Sequence, residues 1–258
     1  MGEASTPETL AGCILLAEEA GFESAWLTDH IAIPPDDAEA SGGRYLDPLV
    51  TLSWFASKTQ RIKLGLSVLV LPYRSALPTI KQIASIQELS DGRLLLGIGV
   101  GWKKAEFRAL GIRSSQRGRL TNEALDLMNR CFASDAVTEN GQTFLFKPRP
   151  QKPLILVGGD PPHALERAAR YGDGWLPTGV PTVDQLETYL DTYRGFCNQV
   201  KKPVGSVTLM AGFPMGDTTL KKLAAYEQIG VDRFVFGLRY ETEAQYREQI
   251  DRLRLLLP

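Results

Sequence analysis

The feature that most constrains the fold is a recurring unit in which a helix ends at a glycine and a buried strand follows. It occurs four times, and the glycines that end the helices are Gly21, Gly92, Gly172 and Gly230. Glycine suits this position because a helix C-terminus favours the left-handed conformation. The irregular spacing of the units excludes a solenoid repeat. Helices and strands that alternate through short loops predict an α/β fold with a parallel sheet.

The pattern of apolar residues predicts seven strands for this sheet, at 25–28, 62–71, 94–100, 154–157, 174–177, 204–210 and 233–237. Helices are predicted at 6–20, 48–57, 78–89, 103–110, 119–132, 162–171, 182–200, 218–229 and 243–257. The segment 137–144 predicts a β-hairpin, because Asn140-Gly141 is a strong turn signal. A barrel fits this order better than a doubly wound sheet, since no GxGxxG motif opens a helix after a strand. No change in composition marks a boundary, so we predict a single barrel domain over residues 1–258.

Composition excludes several classes of protein. The formal net charge of the 258 residues is −1 and the basic residues are not clustered, which argues against a nucleic-acid partner. The longest strongly apolar run, 64–72, is too short to span a membrane. The three cysteines are far apart and form no CxxC pair, which is typical of buried, reduced thiols in a cytoplasmic protein. Two histidines are few for a zinc or iron site, so we predict no metal centre of this kind, while a carboxylate-rich magnesium site stays an open alternative.

The most informative stretch runs from Asp91 to Gly111. Leu94–Val100 shows no alternation of apolar and polar residues, as expected of a strand buried on both faces. Glycines at 97, 99 and 101 leave bare backbone on which a flat ligand could lie, and Trp102 follows. Ligands in α/β proteins bind at the C-terminal ends of the strands. The alternative is a buried strand with a packed tryptophan and no ligand.

The segments 26–30, 97–102 and 111, taken together, resemble the luciferase-like monooxygenase family, and most closely its subgroup that uses the deazaflavin coenzyme F420. The segments 67–74, 158–159 and 168–177 follow the same family pattern in order. The resemblance implies a (β/α)8 barrel of the TIM type, with the coenzyme at the C-terminal ends of the strands. It also implies that the protein is an enzyme with a small-molecule substrate, and it makes a homodimer an open expectation.

The resemblance implies roles for particular residues. Asp29 and His30 would flank the coenzyme ring, with His30 as the acid or base, a role that suits a side chain whose charge changes near neutral pH. The alternative for His30 is a structural histidine that caps the strand or pairs with Asp29. Ser67-Val68 matches a position where relatives carry a non-proline cis peptide, in a bulge that backs the ring. The alternative is an ordinary strand serine.

Five glycines and Trp102 complete the expected cofactor site. Gly99, Gly101 and Trp102 would shape the floor and mouth of the pocket, and Gly158, Gly159 and Gly179 would face the phosphate end of the coenzyme. Amide groups at a helix N-terminus suit a phosphate. Here the chain departs from the family pattern, because Asp160-Pro161-Pro162-His163 follows the glycines. An aspartate disfavours a nearby phosphate, and proline removes donors.

The family begins with an apolar strand before its first helix, and residues 1–5 cannot form that strand. We therefore expect seven of the eight barrel strands. Three explanations are open: the chain is a shortened version of a longer product, a partner fills the gap, or the barrel is incomplete and no longer an enzyme. Unpaired strand edges cost stability and favour aggregation, so we expect the chain alone to be marginally stable compared with a version extended upstream.

The leading functional hypothesis is an oxidoreductase that moves a hydride between coenzyme F420 and an organic substrate that the sequence does not identify. The first alternative is an FMN-dependent monooxygenase of the same fold. An alternative of another class is a non-catalytic, degenerate barrel that binds a cofactor weakly or not at all. A metal-dependent barrel lyase or isomerase is disfavoured, since no carboxylate cluster stands at the strand ends.

Overall fold

The computed structural model describes residues 2–38, 41–211 and 219–255. Parts of two predicted helices lie outside the described residues: position 218 at the start of one, and positions 256–257 at the end of the last. The chain forms two compact units, Met1–Pro153 and Leu154–Pro258, which are described in turn. The single domain inferred from composition stays a prediction.

The first unit alternates helices with three parallel strands before it reaches a hairpin. In chain order its elements are α1 (Pro7–Glu19), β1 (Ser24–Leu27), α2 (Pro48–Lys58), β2 (Lys63–Val70), α3 (Ala76–Leu89), β3 (Leu94–Gly99), α4 (Lys104–Ala109), α5 (Arg117–Ala133), β4 (Ala136–Glu139) and β5 (Gln142–Leu145). Strand β2 lies between β1 and β3 and pairs with both in parallel. Strands β4 and β5 form the antiparallel hairpin that the Asn140-Gly141 turn predicts, with both turn residues at positive φ.

The second unit continues the alternation of strands and helices, with four strands. Its elements are β6 (Leu154–Gly158), α6 (His163–Tyr171), β7 (Gly174–Leu176), α7 (Val183–Gln199), β8 (Ser206–Ala211), α8 (Thr219–Ile229), β9 (Arg233–Phe236) and α9 (Glu243–Arg254). The pairs β6–β7, β7–β8 and β8–β9 are all parallel. Among the described residues there are therefore seven parallel strands beside the one hairpin, as the sequence predicts. The three cysteines are buried, and none of them forms a disulfide bond.

Carboxylates hold the N-terminal ends of several strands in register. In the second unit, Asp173 accepts a hydrogen bond from the amide of Ile155 at 3.0 Å, and Asp232 accepts one from the amide of Val207 at 2.7 Å. Each aspartate directly precedes the strand that neighbours its partner. Because charge-assisted hydrogen bonds are stronger than neutral ones, these contacts fix where each pair of strands begins.

In the first unit, Glu18 holds the start of a strand with a single carboxylate oxygen. Its Oε1 accepts hydrogen bonds from the amides of Gln60, Arg61 and Ile62, at 2.9, 2.6 and 3.0 Å, in the turn before β2. Burial raises the pKa of Glu18, but the three amides outweigh it and hold the pKa below its ordinary value. The end of α1 is thereby tied to the start of β2.

Neither a membrane-spanning helix nor a metal-binding group of side chains is found in the part of the chain that the structure describes. No helix within it is both long enough and apolar enough to cross a bilayer. No group of three or more His, Cys, Asp or Glu side chains in the same ranges is placed to bind a metal ion.

We predict that Glu18→Ala lowers the free energy of unfolding by about 1 to 2 kcal/mol, because three amides lose a charged acceptor. Glu19→Ala is the matched control, since Glu19 is the exposed neighbour on the same helix. Urea unfolding of both variants measures the difference. Equal effects of the two substitutions would show that the Glu18 contact does not stabilise the fold.

Candidate active site

The segment after β1 carries two of the predicted site residues, Asp29 and His30. The carboxylate of Asp29 is fully engaged in hydrogen bonds within the protein. The Asp29 carboxylate is fully buried and accepts two hydrogen bonds from Arg74, at 2.6 and 2.9 Å, and a third from the amide of Val70 at 2.9 Å. Arg74 also contacts Asp47 at 2.8 Å. This geometry favours a positioning role for Asp29, which joins the end of β1 to the end of β2. Its catalytic role stays a prediction.

The charges in this cluster reinforce one another. Burial lowers the pKa of Arg74, but its hydrogen bonds and attraction to Asp29 and Asp47 outweigh that effect and raise the pKa above its ordinary value. Burial raises the pKa of Asp47, but Arg74 and the amides at the start of α2 outweigh this effect and lower the pKa below its ordinary value. The guanidinium is therefore charged at any pH at which the protein is folded, and it is neutralised by its own carboxylates.

His30, the next residue, presents one ring nitrogen to the protein. Its Nδ1 lies 2.9 Å from Oε2 of Glu106, while 21% of the side chain is exposed. The ring also lies against Tyr45, with 4.8 Å between the ring centroids. Since a carboxylate can only accept a hydrogen bond, the proton of the neutral imidazole is held on Nδ1. The other nitrogen, Nε2, is then free to accept a proton from a substrate.

Glu106 is the residue that organises this site, and its side chain is 0% exposed. Oε1 accepts hydrogen bonds from the amides of Ile31 and Ala32, at 2.6 and 3.1 Å, and Oε2 accepts from His30 and from the hydroxyl of Tyr73 at 3.1 Å. Burial raises the pKa of Glu106, but these donors outweigh it and the net pKa is lowered. A buried carboxylate with four donors stays ionised at neutral pH.

Tyr73 completes the shell around Glu106. Burial raises the pKa of its phenol, and the negative charge of Glu106 raises it further, so the hydroxyl stays protonated and remains a donor. Its ring packs edge-on against Phe107, with 5.1 Å between centroids, and both rings belong to a small apolar cluster with Val70. This cluster excludes water from the inner side of the carboxylate.

Glu106 is not among the site residues predicted from the sequence. A glutamate in a short polar helix is usually exposed, and the sequence gives no partner at a fixed spacing, because His30 lies 76 residues away in the chain. One signal was available: Glu106 follows the glycine-rich end of β3, where functional residues of α/β barrels concentrate. Phe107, its buried neighbour, indicates that this turn of α4 faces inward.

The predicted bulge at Ser67-Val68 is present. The peptide bond between these residues is cis, and the pairing of β2 with β3 shifts register between Leu66 and Leu69. A Cβ atom added to Gly99 would overlap Cγ2 of Val68, so the glycine is what allows the bulge to lie against β3. Val68 and Gly99, predicted as separate cofactor contacts, therefore pack against each other.

Gly101 and Trp102 follow at the end of β3. Gly101 has φ +77°, and an added Cβ would lie 2.7 Å from Cγ1 of Val70 and 3.0 Å from the Phe107 ring, so a side chain there would be strained. Trp102 is 76% exposed, as a residue at the mouth of a site would be. The ammonium of Lys103 lies 4.8 Å from its ring centroid. Both residues stay candidates for cofactor or substrate contact.

In the second unit, the glycines predicted to face a phosphate differ in whether their backbone is available to a ligand. Gly158 ends β6, and Gly159 has φ +131°. The amide of Gly159 donates to the carbonyl of Leu176 at 3.1 Å, and its carbonyl accepts from Nε1 of Trp175 at 2.9 Å. Its amide is therefore not available to an anion. Gly179, at φ +69° with open space around it, fits the prediction better.

We predict that Glu106→Gln destabilises the protein at neutral pH and that the loss shrinks in acid. The folded-state pKa of Glu106 lies below its ordinary value of 4.5. The carboxylate therefore stabilises the fold above about pH 4.5, and this contribution is lost as the pH falls through the lowered pKa. Chemical unfolding at neutral pH should show a decrease of about 1 to 3 kcal/mol.

The control for this experiment is Glu88→Gln, which removes a charge from an exposed position on α3. Its free energy of unfolding should stay close to that of the unaltered protein throughout the series. A Glu106→Gln deficit that is as large in acid as at neutral pH would contradict the lowered pKa.

Known proteins resemble this chain over most of its length. The model of the luciferase-like monooxygenase family matches residues 1–216. An uncharacterised protein of Mycobacterium tuberculosis is 24% identical over 267 residues, which cover 95% of this chain and 92% of that protein. An F420-dependent glucose-6-phosphate dehydrogenase of Kineococcus radiotolerans is 32% identical over 203 residues, 74% of this chain and 59% of that enzyme. The chain thus spans little more than half the length of that dehydrogenase.

Two solved structures extend the comparison to the fold. An F420-dependent secondary alcohol dehydrogenase bound to an F420–acetone adduct matches with a TM-score of 0.77 and 14% identity, over 96% of this chain and 93% of that one. The oxygenating component of the diketocamphane monooxygenase of Pseudomonas putida, bound to FMN, matches with a TM-score of 0.65 and 17% identity, over 87% and 68%. These matches confirm the predicted α/β fold of the (β/α)8 type. Since the family model covers most of the chain, the protein belongs to the luciferase-like monooxygenase family.

Proposed function

We propose that the protein is an oxidoreductase that uses coenzyme F420 and moves a hydride between it and an organic substrate. The observation that carries this proposal is the His30–Glu106 pair: a buried carboxylate contacts Nδ1 at 2.9 Å, and Nε2 takes no part in this contact. A histidine held in this way can pass one proton to or from a substrate. The relatives named for F420 dependence support the choice of coenzyme.

The residues of the first unit fit a flat ring. Val68, partly exposed on the bulge, packs on Gly99, and Gly101 follows at a φ that disfavours other residues. These three residues would hold the deazaflavin ring. When bound, the deazaflavin supplies a carbon that accepts or gives a hydride, while the protein supplies binding, orientation and electrostatics. The phosphate contacts of Gly158 and Gly179 stay part of the proposal.

In this proposal, His30 accepts or donates the proton that accompanies hydride transfer. When an alcohol is oxidised, its hydroxyl proton moves to Nε2 of His30, and the resulting imidazolium is stabilised by the ionised carboxylate of Glu106. In the direction of reduction, the same nitrogen gives the proton back to the oxygen. Glu106 stays ionised in both directions, because its four donors favour the charged form. Glu106 therefore acts as a positioning residue for His30.

FMN is the second candidate cofactor. The match to an FMN-bound monooxygenase favours it, and Val68 on the bulge would support an isoalloxazine ring equally well. In that case the reaction would be an oxygenation, and His30 would protonate or deprotonate an oxygen-derived group. The two proposals differ in a property that is simple to measure, the relative affinity for the two cofactors.

We predict that the protein binds F420 at least tenfold more tightly than FMN, a difference of about 1.4 kcal/mol. The reason is that the segment from Gly97 to Gly111 resembles the deazaflavin subgroup most closely. Fluorescence titration with each cofactor measures both dissociation constants. Equal or reversed affinities would favour the monooxygenase, and binding of neither cofactor would favour the non-catalytic barrel.

We also predict that His30→Ala lowers turnover by about 10² to 10⁴-fold, the usual contribution of a general acid or base. The dissociation constant for F420 should change only a few-fold, since His30 is assigned to the proton and not to binding. His163→Ala, which alters the other histidine at an exposed position, should leave both values unchanged. If turnover survives His30→Ala while cofactor affinity collapses, the assigned role is wrong.

A further inference from the structure

One oxygen of Glu106 receives donors from two distant parts of the chain. Nδ1 of His30 lies 2.9 Å from Oε2, and the hydroxyl of Tyr73 lies 3.1 Å from the same atom. The other oxygen, Oε1, accepts hydrogen bonds from the amides of Ile31 and Ala32. Since the side chain of Glu106 is 0% exposed, bulk water does not compete with these donors. His30 therefore shares its acceptor with Tyr73.

The position of the Tyr73 hydroxyl is set by the packing of its ring. The ring is buried and lies edge-on to Phe107, with 5.1 Å between the ring centroids, and Val70 belongs to the same apolar cluster. Burial raises the pKa of the phenol and the charge of Glu106 raises it further, so the hydroxyl keeps its proton and donates. A phenylalanine at this position would keep the ring and lose only the donor.

A second donor on Oε2 changes how strongly this oxygen attracts the proton on Nδ1. A hydrogen bond to a carboxylate favours its charged form, because it disperses the negative charge. In a buried network such hydrogen bonds influence one another, since the local dielectric constant is low. With Tyr73 as a partner, Oε2 of Glu106 therefore stabilises a protonated His30 less than it would alone.

We propose that Tyr73 is a positioning residue for His30, which acts through Oε2 of Glu106 and limits how strongly this carboxylate stabilises the imidazolium. A ring that held its second proton too tightly would be a poor acid, and a general acid or base works best when it can both take and return a proton near the working pH. This consequence for turnover rests on the proposed function, whereas the hydrogen bonds do not require a coenzyme.

Two charged groups act on Tyr73 besides Glu106. Asp29 and Arg74 act on the phenol in opposite directions, and they are paired with each other, with 2.6 Å between Nη1 and Oδ2. Their contact does not involve the Tyr73 hydroxyl. Removing the hydroxyl therefore leaves this ion pair in place.

Further titratable groups lie on the other sides of the network. Lys103, directly before α4, is paired with Asp37 at 2.8 Å, and the ring of Tyr45 lies against His30. Neither contact involves the Tyr73 hydroxyl. A change in the titration of His30 that follows the loss of this hydroxyl is therefore assigned to the shared carboxylate.

The test is an NMR titration of the histidine ring signals of the full chain, without coenzyme, in the unaltered protein and in Tyr73→Phe. We expect the midpoint of the His30 signal to move to higher pH by about half a pH unit or more, the scale of one net hydrogen bond. The signal of His163, an exposed residue of the second unit, serves as an internal reference. A Tyr73 that only supports the packing would lower stability and leave the His30 midpoint unchanged.

Two controls separate the hydroxyl from other effects. Tyr193→Phe removes a phenol that is buried on α7, and it should leave the His30 midpoint unchanged. Glu106→Gln provides the second control, because its amide carries no charge for Tyr73 to disperse. In that background, adding Tyr73→Phe should no longer move the midpoint, and the double-mutant cycle measures this coupling.

Each outcome has a defined meaning. A midpoint that stays the same or falls in Tyr73→Phe overturns the inference, and so does an equal shift in the Glu106→Gln background. If Tyr73→Phe does not fold, Tyr73→Met takes its place, since methionine lacks the donor and fills irregular gaps. If the midpoint rises but F420 does not bind, the role of Tyr73 toward His30 stands and the proposed function fails. If F420 binds and the midpoint does not rise, the inference alone fails.

Discussion

The buried carboxylate of Glu106 is the interaction on which the rest of the site depends. It joins three parts of the chain that are distant in sequence: the loop after β1 through two amides, the end of β2 through Tyr73, and its own helix α4. Four donors offset the cost of burying the charge, which would otherwise be several kcal/mol. The same contacts fix the orientation of His30, so the fold and the proposed chemistry rely on one ionised group.

The local features of the fold could be predicted from the sequence because each has a short-range cause. Glycine at a helix end, Asn-Gly at a turn and an unbroken apolar run specify their conformations through neighbouring residues. The helices and strands therefore lie within a few residues of their predicted positions. The bulge at Ser67-Val68 was also expected, although only through the family resemblance and not from the residues themselves.

The site was predicted less completely, because its contacts are long-range. In the sequence, Asp29 is a carboxylate at the end of a strand and is a candidate for catalysis. The structure shows that Arg74, 45 residues later, donates hydrogen bonds to both of its oxygens. The sequence pattern predicts Glu106 to be an exposed helix residue, because its hydrogen-bond partners are also distant in the chain. The amide of Gly159 is occupied by Leu176, a contact that no local pattern indicates. Pairing of buried charges depends on tertiary packing, which the sequence pattern does not specify.

The central claim is that Glu106 holds the proton of His30 on Nδ1 and leaves Nε2 to the substrate. The ¹⁵N chemical shifts and long-range couplings of the imidazole rings test it directly, and with two histidines in the chain a His163→Ala variant assigns the signals. The account predicts that Nδ1 of His30 is protonated in the neutral ring, and that Glu106→Gln weakens this preference. A neutral His30 with its proton on Nε2 and a bare Nδ1 would contradict the account.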